Sequence, residues 1–380
     1  MKIPFNKVYN AGNEEKYILE ALKSGAHCGN HDFGGKVTKL MIDKYGFGNV
    51  YLTSSCTSAL EMGAVLANIG YGDEVILPSY TFSSTVNSIV LFGAKPIFCE
   101  VEPTTMNIDV SKIEKLITSK TKMILPIDYA GVPCEIDAIM DIANRHNLIV
   151  MQDCAQSYGS YFKDKPCGTI PHLAAFSFHE TKNYNAGEGG ALVVNVPEWE
   201  ERAYFLQEKG TDRRLVLNGV KNKYSWVDKG SSYLLSDILA AMLLAQLEKE
   251  DEIRSKRGII TSAYLKLFNP YVEKEHVKVF EPKDYNKLNN HAFWVLFDTI
   301  KNKNTFMSNL REKDVYAYIG YLPLHSSPMG IKYGYKAEDL PITEDLASRI
   351  VRLPFYTELA ENGLAYCIDS MNEVLNKIYN

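Results

Sequence analysis

Short, unbroken apolar runs recur through the first two-thirds of the chain, and each stops at polar residues: NVYLTSS, DEVILPSY, KPIFCEV, KMILPIDYAG and NLIVMQDCAQ. A strand with one solvated face alternates apolar and polar residues, whereas a strand covered on both faces reads as a continuous apolar run. The runs therefore predict a mostly parallel sheet with helices on both sides. The intervening segments agree with this. NVYLT is followed by a turn and a helix ending at Gly70, strand 74–77 by a polar turn and a second helix, and IDAIMDIANRHN has the spacing of a crossover helix. The fold class is α/β, with right-handed crossovers as the default.

The pattern changes at SSYLLSDILAAMLLAQLEKEDEIRSKRGIITSAYLKLF, which is long, helical and rich in Ala and Leu. It predicts a passage from a large domain, residues 1–250, into a smaller α+β domain, residues 251–380, where NNHAFWVLFDTI and VYAYIGYLPLH read as strands. A length of 380 residues suits such a pair. No run approaches the roughly 20 apolar residues of a membrane-spanning helix. The N-terminal MKIPFNKVYNAGNEEKY has neither the apolar stretch nor the cleavage site of a secretory signal. Seven cysteines (Cys28, Cys56, Cys99, Cys134, Cys154, Cys167, Cys367) form no CxxC pair, so free thiols in a reducing compartment are expected, without a zinc site. A net charge of −5 supplies no global basic field for nucleic acid. These features predict a cytoplasmic protein.

Ligands of a doubly wound sheet bind beyond the carboxyl ends of its strands. The polar residues that follow the apolar runs are therefore the candidates: Ser55–Thr57, Ser79–Phe82, Asp153–Gln156 and Ser177–Lys182. In SSCTSALEM, hydroxyls and free amides at a helix start make an anion site, and the same residues would also serve as plain N-caps. Asp153 stands at a strand end, where a carboxylate needs a cation or donors beside it; a protonated pyridine nitrogen and an ordinary capping role both meet that need. Lys182 lies between the aromatic run FSFHE and the turn GEGG. A solvated cation is the plain interpretation, while a nucleophilic lysine needs such a partly desolvated setting. Anchor, carboxylate and lysine together are what pyridoxal 5'-phosphate requires.

The stretches LTSSCTSALEM, LPSYTFSSTVN, VMQDCAQ and FSFHETKNYNAGEGG resemble the DegT/StrS family of sugar aminotransferases. The likeness runs from IPFNKVYN through SGAHCGN and YLPLHSSP to RLPFY, and SFHETKNY with GSSYLLSD is most similar to enzymes that make dTDP-4-amino-4,6-dideoxyhexoses. The resemblance implies an aspartate aminotransferase-like fold (fold type I) and a dTDP-linked keto-6-deoxyhexose as acceptor, dTDP-4-keto-6-deoxyglucose first. It also implies glutamate as donor, a product used for cell-surface polysaccharide such as O-antigen, and a homodimer with shared sites. Lys182 would form the Schiff base and move the proton, Asp153 would pair with the ring nitrogen, Gln156 with the ring hydroxyl, and Phe82 would stack on the ring. Ser55, Cys56, Thr57 and Ser177 would hold the phosphate.

Two positions depart from the family pattern. Ser232 in GSSY stands where many members carry an asparagine lent by the partner subunit, and Asp128 in PID replaces the histidine of PVH, at the cofactor or sugar edge. His325 in YLPLH would border the sugar, His179 would tune the proton transfers of Lys182, and Lys209 with Arg213 and Arg214 would meet the nucleotide diphosphate. Lone histidines and charged runs also serve structure and solvation alone. Amination at C3 of the sugar is the runner-up to C4. A dehydratase of the same superfamily would carry histidine in place of Lys182, and a non-catalytic regulator would lack the lysine or add a DNA-binding segment.

Overall fold

The computed structural model describes residues 1–379. The apolar runs become β1 (Asn49–Thr53), β2 (Glu74–Pro78), β3 (Lys95–Cys99), β4 (Thr121–Ile124) and β5 (Ile149–Asp153). A small hairpin of β6 (Tyr161–Phe162) and β7 (Lys165–Pro166) precedes β8 (Leu173–Ser177) and β9 (Gly190–Val194). The main sheet has seven strands in the order β1-β9-β8-β5-β4-β2-β3. Pairing is parallel from β8 through β5, β4 and β2 to β3, and β9 runs antiparallel to both β1 and β8. Strands β2, β8 and β9 are buried along their whole length, as continuous apolar runs require. No expected strand corresponds to β9.

The helix Cys56–Leu66 stops short of Gly70, because Asn68 turns left-handed at φ 56° and breaks the ladder. The crossover helix forms over Ile136–His146. The long helical run divides at Glu248–Lys249 into Asp237–Leu247 and Glu250–Val272. The first of these needs no subunit interface to cover its apolar surface, since Ala240, Ala241, Leu243, Leu244 and Leu247 are buried within the chain, in one cluster with Ala21, Phe33, Val37 and Met41. Asp237, at its start, accepts from the Phe33 and Gly34 amides at 3.1 and 2.7 Å and so caps the helix Asp32–Tyr45.

A second sheet holds β10 (Val277–Val279), β11 (Trp294–Phe297) and β12 (Ile350–Arg352), all antiparallel, against the helices Glu250–Val272 and Ile300–Glu312, on both of which the helix Leu364–Tyr379 packs. VYAYIGYLPLH does not form the expected strand. Val315 bridges to Ile3 and Tyr318 to Arg352 as isolated pairs, and the segment then crosses to the main sheet, where the Leu324 amide donates to the Ser79 carbonyl at 2.9 Å. Gly320 allows that crossing, since a Cβ there would stand 1.6 Å from Tyr80 Oη.

Candidate active site

The carboxyl ends of β1, β5 and β8 and the loop after β2 meet around a cavity of about 340 Å³. Ser55, Cys56, Thr57, Phe82, Asp153, Gln156, Ser177, His179 and Lys182 all line it. Parallel strands bring these distant residues together by ending at one edge. Ser55 caps the helix Cys56–Leu66, its Oγ accepting from the Ser58 amide at 3.0 Å. The first-turn amides of such a helix have no partner within it and face an anion favourably. Thr57 Oγ1 donates to Ser84 Oγ at 2.8 Å.

Asp153 is buried, accepting from Thr85 Oγ1 at 2.8 Å and from the Ala155 amide at 3.0 Å. Burial raises its pKa, while those two donors and the charge of Lys182 pull the other way. Burial also lowers the pKa of Lys182, against the opposing pull of Cys56 and Asp153, and the charge of Arg352 lowers it further. The Cys56 thiol is pushed far up by burial, then by Asp153, and stays neutral. His179 Nδ1 receives the Thr181 amide at 3.2 Å, so its ring proton belongs on Nε2, 3.6 Å from Glu188. Gln156 uses its carbonyl oxygen to accept from the Ala130 amide at 2.7 Å and its amide to donate to Tyr321 Oη at 3.0 Å.

The residue after the lysine is held from the loop that precedes β11. Asn183 Nδ2 donates to the Asn289 carbonyl at 2.9 Å, and its oxygen meets His291 Nδ1 at 2.9 Å. Arg257 donates to the carbonyls of Asn290 and His291, at 2.8 and 2.5 Å, and fixes that loop in turn.

Four expected residues do not join the cavity. Asp128 is fully buried behind Asp153, where its carboxylate accepts from Ser157 Oγ at 2.6 Å, Gln152 Nε2 at 2.9 Å and the Cys134 amide at 2.9 Å. With its oxygens so occupied, it is an internal brace and not an edge of the ligand site. His325 is likewise fully buried, bonded through Nδ1 to Ser79 Oγ at 2.7 Å with Nε2 3.5 Å from Glu344, and so pins the crossing segment. Lys209 and Ser232 line a separate cleft of about 920 Å³ together with Arg213 and Arg214. Lys209 lies 3.5 Å from Glu208 there, and the Arg214 guanidinium sits 3.3 Å over the Tyr204 ring.

Thr81 and Thr181 lie within the strand-exit candidates without a role assigned to them, and sequence reasoning missed Ser84, Thr85, Glu188 and Tyr321, all on the cavity wall. Thr85 lies in LPSYTFSSTVN, so the signal was a helix position one turn beyond a strand exit. Tyr321 had no local signal, since it reaches the wall only through the crossing segment.

The residues fit pyridoxal phosphate on a further count. A Cβ at Gly190 would stand 2.4 Å from the Ser55 carbonyl carbon and 2.5 Å from the Cys56 amide, so only glycine lets β9 press the helix start into a backbone cradle. A lysine and a buried carboxylate beside such a cradle, at the strand ends of a largely parallel sheet, define a pyridoxal phosphate-dependent aminotransferase. The chain belongs to the DegT/DnrJ/EryC1/StrS aminotransferase family, which matches residues 10–372. It is a sugar aminotransferase. It is 32% identical to GDP-perosamine synthase of Escherichia coli O157:H7 over 98% of both chains. It is 29% identical to the spore coat polysaccharide biosynthesis protein SpsC of Bacillus subtilis over 85% of this chain and 84% of the other. A Streptococcus pneumoniae protein solved in its PMP form superposes with a TM-score of 0.91 at 22% identity, over 99% of this chain and 100% of that one. No helix among the described residues is long and apolar enough to cross a membrane.

Proposed function

We propose that the protein transfers an amino group from L-glutamate to C4 of a nucleotide diphosphate-linked 4-keto-6-deoxyhexose, with dTDP as the nucleotide. The observation that carries this is the meeting of Lys182 with the buried Asp153 in a cavity entered from the strand ends. Bound pyridoxal phosphate supplies the carbon that carries the amino group and the electron sink for the proton shift. The chain does the rest. The first-turn amides of Cys56 and Thr57, with the hydroxyls of Ser55, Thr57 and Ser177, hold the phosphate. Asp153 holds the ring nitrogen protonated, Gln156 meets the ring hydroxyl and Phe82 covers a ring face. Lys182 Nζ, made less basic by burial, accepts the substrate proton and returns it. His179 presents its Nε2 proton toward Glu188 at the mouth and tunes that transfer.

Ser232 and Lys209 serve a neighbouring chain's site. This is supported by their place on a separate basic cleft of their own chain. The assembly is a homodimer. The product feeds cell-surface polysaccharide, a reading supported by the relative named for spore coat polysaccharide. The nucleotide is the open contrast, because another relative is named for a GDP sugar. Incubation of holoenzyme and glutamate with dTDP- or GDP-linked 4-keto sugar, and with a dTDP-linked 3-keto sugar, settles it by NMR assignment of the product. Turnover of the GDP sugar alone overturns the nucleotide, and amination at C3 overturns the carbon.

A further inference from the structure

Asp128 stands beyond the end of β4, on a stretch laid against the end of β5. Ile127 bridges to Asp153, the Asp128 amide donates to the Asp153 carbonyl at 3.2 Å, and the Asp153 amide donates to the Pro126 carbonyl at 2.9 Å. The Asp128 carboxylate, fully buried, meets donors on both oxygens. Beside Ser157 Oγ and the Cys134 amide, Gln152 Nε2 lies 2.9 Å from each oxygen and the Cys154 thiol 3.7 Å from one. Gln152 accepts from the Gly168 amide at 3.3 Å with its carbonyl oxygen, so its NH2 group faces Asp128. A protonated carboxyl needs an acceptor for its hydrogen, and the Cys134 amide and the Gln152 nitrogen offer none. Asp128 is thus held as an anion: burial raises its pKa, and Ser157, the Cys134 amide and Gln152 pull it back. The thiols around it, Cys134, Cys154 and Cys167, are pushed far up by burial and stay neutral.

A fixed negative charge raises the proton affinity of the groups beside it. For Asp153, burial has the largest effect and the charge of Asp128 adds to it, against the Ala155 amide, Thr85 and Lys182. Cys56 and Tyr321 also face Asp153, and burial keeps both neutral, the phenol at about 12. Two buried carboxylates therefore share one cation, Lys182, whose charge burial opposes. A protonated pyridine nitrogen on Asp153 is the cation that this pair lacks. We infer that Asp128 is a positioning residue acting through Asp153: its negative charge keeps the proton on the cofactor's ring nitrogen. This rests on the transaminase reading proposed above, in which Asp153 meets that nitrogen.

Pyridoxal phosphate isotopically labelled at the ring nitrogen reports that proton apart from turnover. Asparagine keeps the shape of the side chain and removes the charge, its oxygen facing Gln152 and Cys134 and its amide facing Ser157. In pH titrations of labelled holoenzyme by nitrogen NMR, Asp128→Asn should release the ring proton about one pH unit below wild type, a roughly 10-fold weaker hold. The value of kcat should fall in parallel, with the KM for the nucleotide sugar close to wild type. Ser157→Ala disturbs the same cage but keeps the charge, and its titration should match wild type. Cofactor content and melting temperature identify a misfolded variant, and Asp128→Ser then carries the comparison. Equal titrations in wild type and the loaded Asp128 variants overturn the inference, even where Asp153→Asn releases the proton early. Equal shifts in Asp128→Asn and Ser157→Ala overturn it too, and assign the effect to the packing of the turn. A ring nitrogen unprotonated in wild type removes the role of Asp153 and that of Asp128 with it. If the titration depends on Asp128 but no keto sugar is aminated, the role of Asp128 stands and the choice of substrate falls.

Discussion

Burial works against the charge of both Lys182 and Asp153, lowering the pKa of one and raising that of the other. Lys182→Ala should retain non-covalently bound pyridoxal phosphate through the cradle and Asp153, lose the visible absorbance of the lysine-bound cofactor, and show no steady-state transamination. Measurable turnover would assign the proton transfer to another residue. Asp153→Asn should cost about 10²- to 10³-fold in kcat, the size of losing one preorganised electrostatic stabiliser, with a small loss of cofactor affinity. A near wild-type kcat would reduce Asp153 to a cap. His291 titrates in the opposite sense to a surface histidine: burial, then the charges of Lys182, Arg257 and Arg352, hold its pKa well below the ordinary value. The unfolded chain therefore takes up that proton first as pH falls through about 6.5, and stability present above that pH is lost below it. Near pH 5.5 the wild type should have lost more stability than His291→Gln, relative to neutral pH, in denaturant titrations. Parallel pH profiles would show that His291 is protonated in the folded protein.

Individual elements place these residues through backbone contacts that tolerate little change. Gly190 opens β9 and lies against the first turn of the helix Cys56–Leu66, with no room for a methyl group. Gly190→Ala should push that helix start away, lowering stability by about 1–3 kcal/mol and raising the dissociation constant for pyridoxal phosphate. Gly63→Ala is a useful contrast, because the atom it would meet is the flexible Met151 Sδ at 2.4 Å, which can move aside. If both variants bind cofactor equally well, the cradle is not set by the approach of β9. The strand runs were legible because burial on both faces leaves a continuous apolar signature. VYAYIGYLPLH carries a similar signature, yet its apolar side chains pack in the crossing between the two sheets and its backbone makes only isolated bridges, Val315 to Ile3 and Tyr318 to Arg352.

At the scale of the whole molecule, none of the large apolar side chains left exposed among the described residues lies on the helix Asp237–Leu247. Leu217, Val220 and Trp226, 70, 69 and 82% exposed, stand on the segment that leads from the basic cleft toward Ser232. On the proposed homodimer, Ser232 and Lys209 reach the other chain's site. A dimer is expected at micromolar concentration in sedimentation. Mixing Lys182→Ala with a variant disabled only at Ser232 should restore partial activity, since one of the two sites in each mixed dimer is intact. A fully active monomer would overturn the shared site, and mixed dimers without rescue would assign Ser232 to its own chain's site or to none.

The sequence by itself determined which residues stand at strand exits. A buried parallel strand must be apolar throughout and its polar successor must leave the core, so Ser55, Asp153, Ser177 and Lys182 were marked by position alone. It also marked the lysine, carboxylate and helix start as one chemical set. Only the tertiary structure decided what lies across the cavity from them. Tyr321 comes from the segment that crosses between the two sheets, and its relation to Lys182 depends on how that segment packs, which no local pattern encodes. The same holds for Asp128 and His325. Each has the chemistry of a site residue, and each is enclosed by partners such as Ser157 and Ser79, which only the folded chain brings within hydrogen-bonding distance.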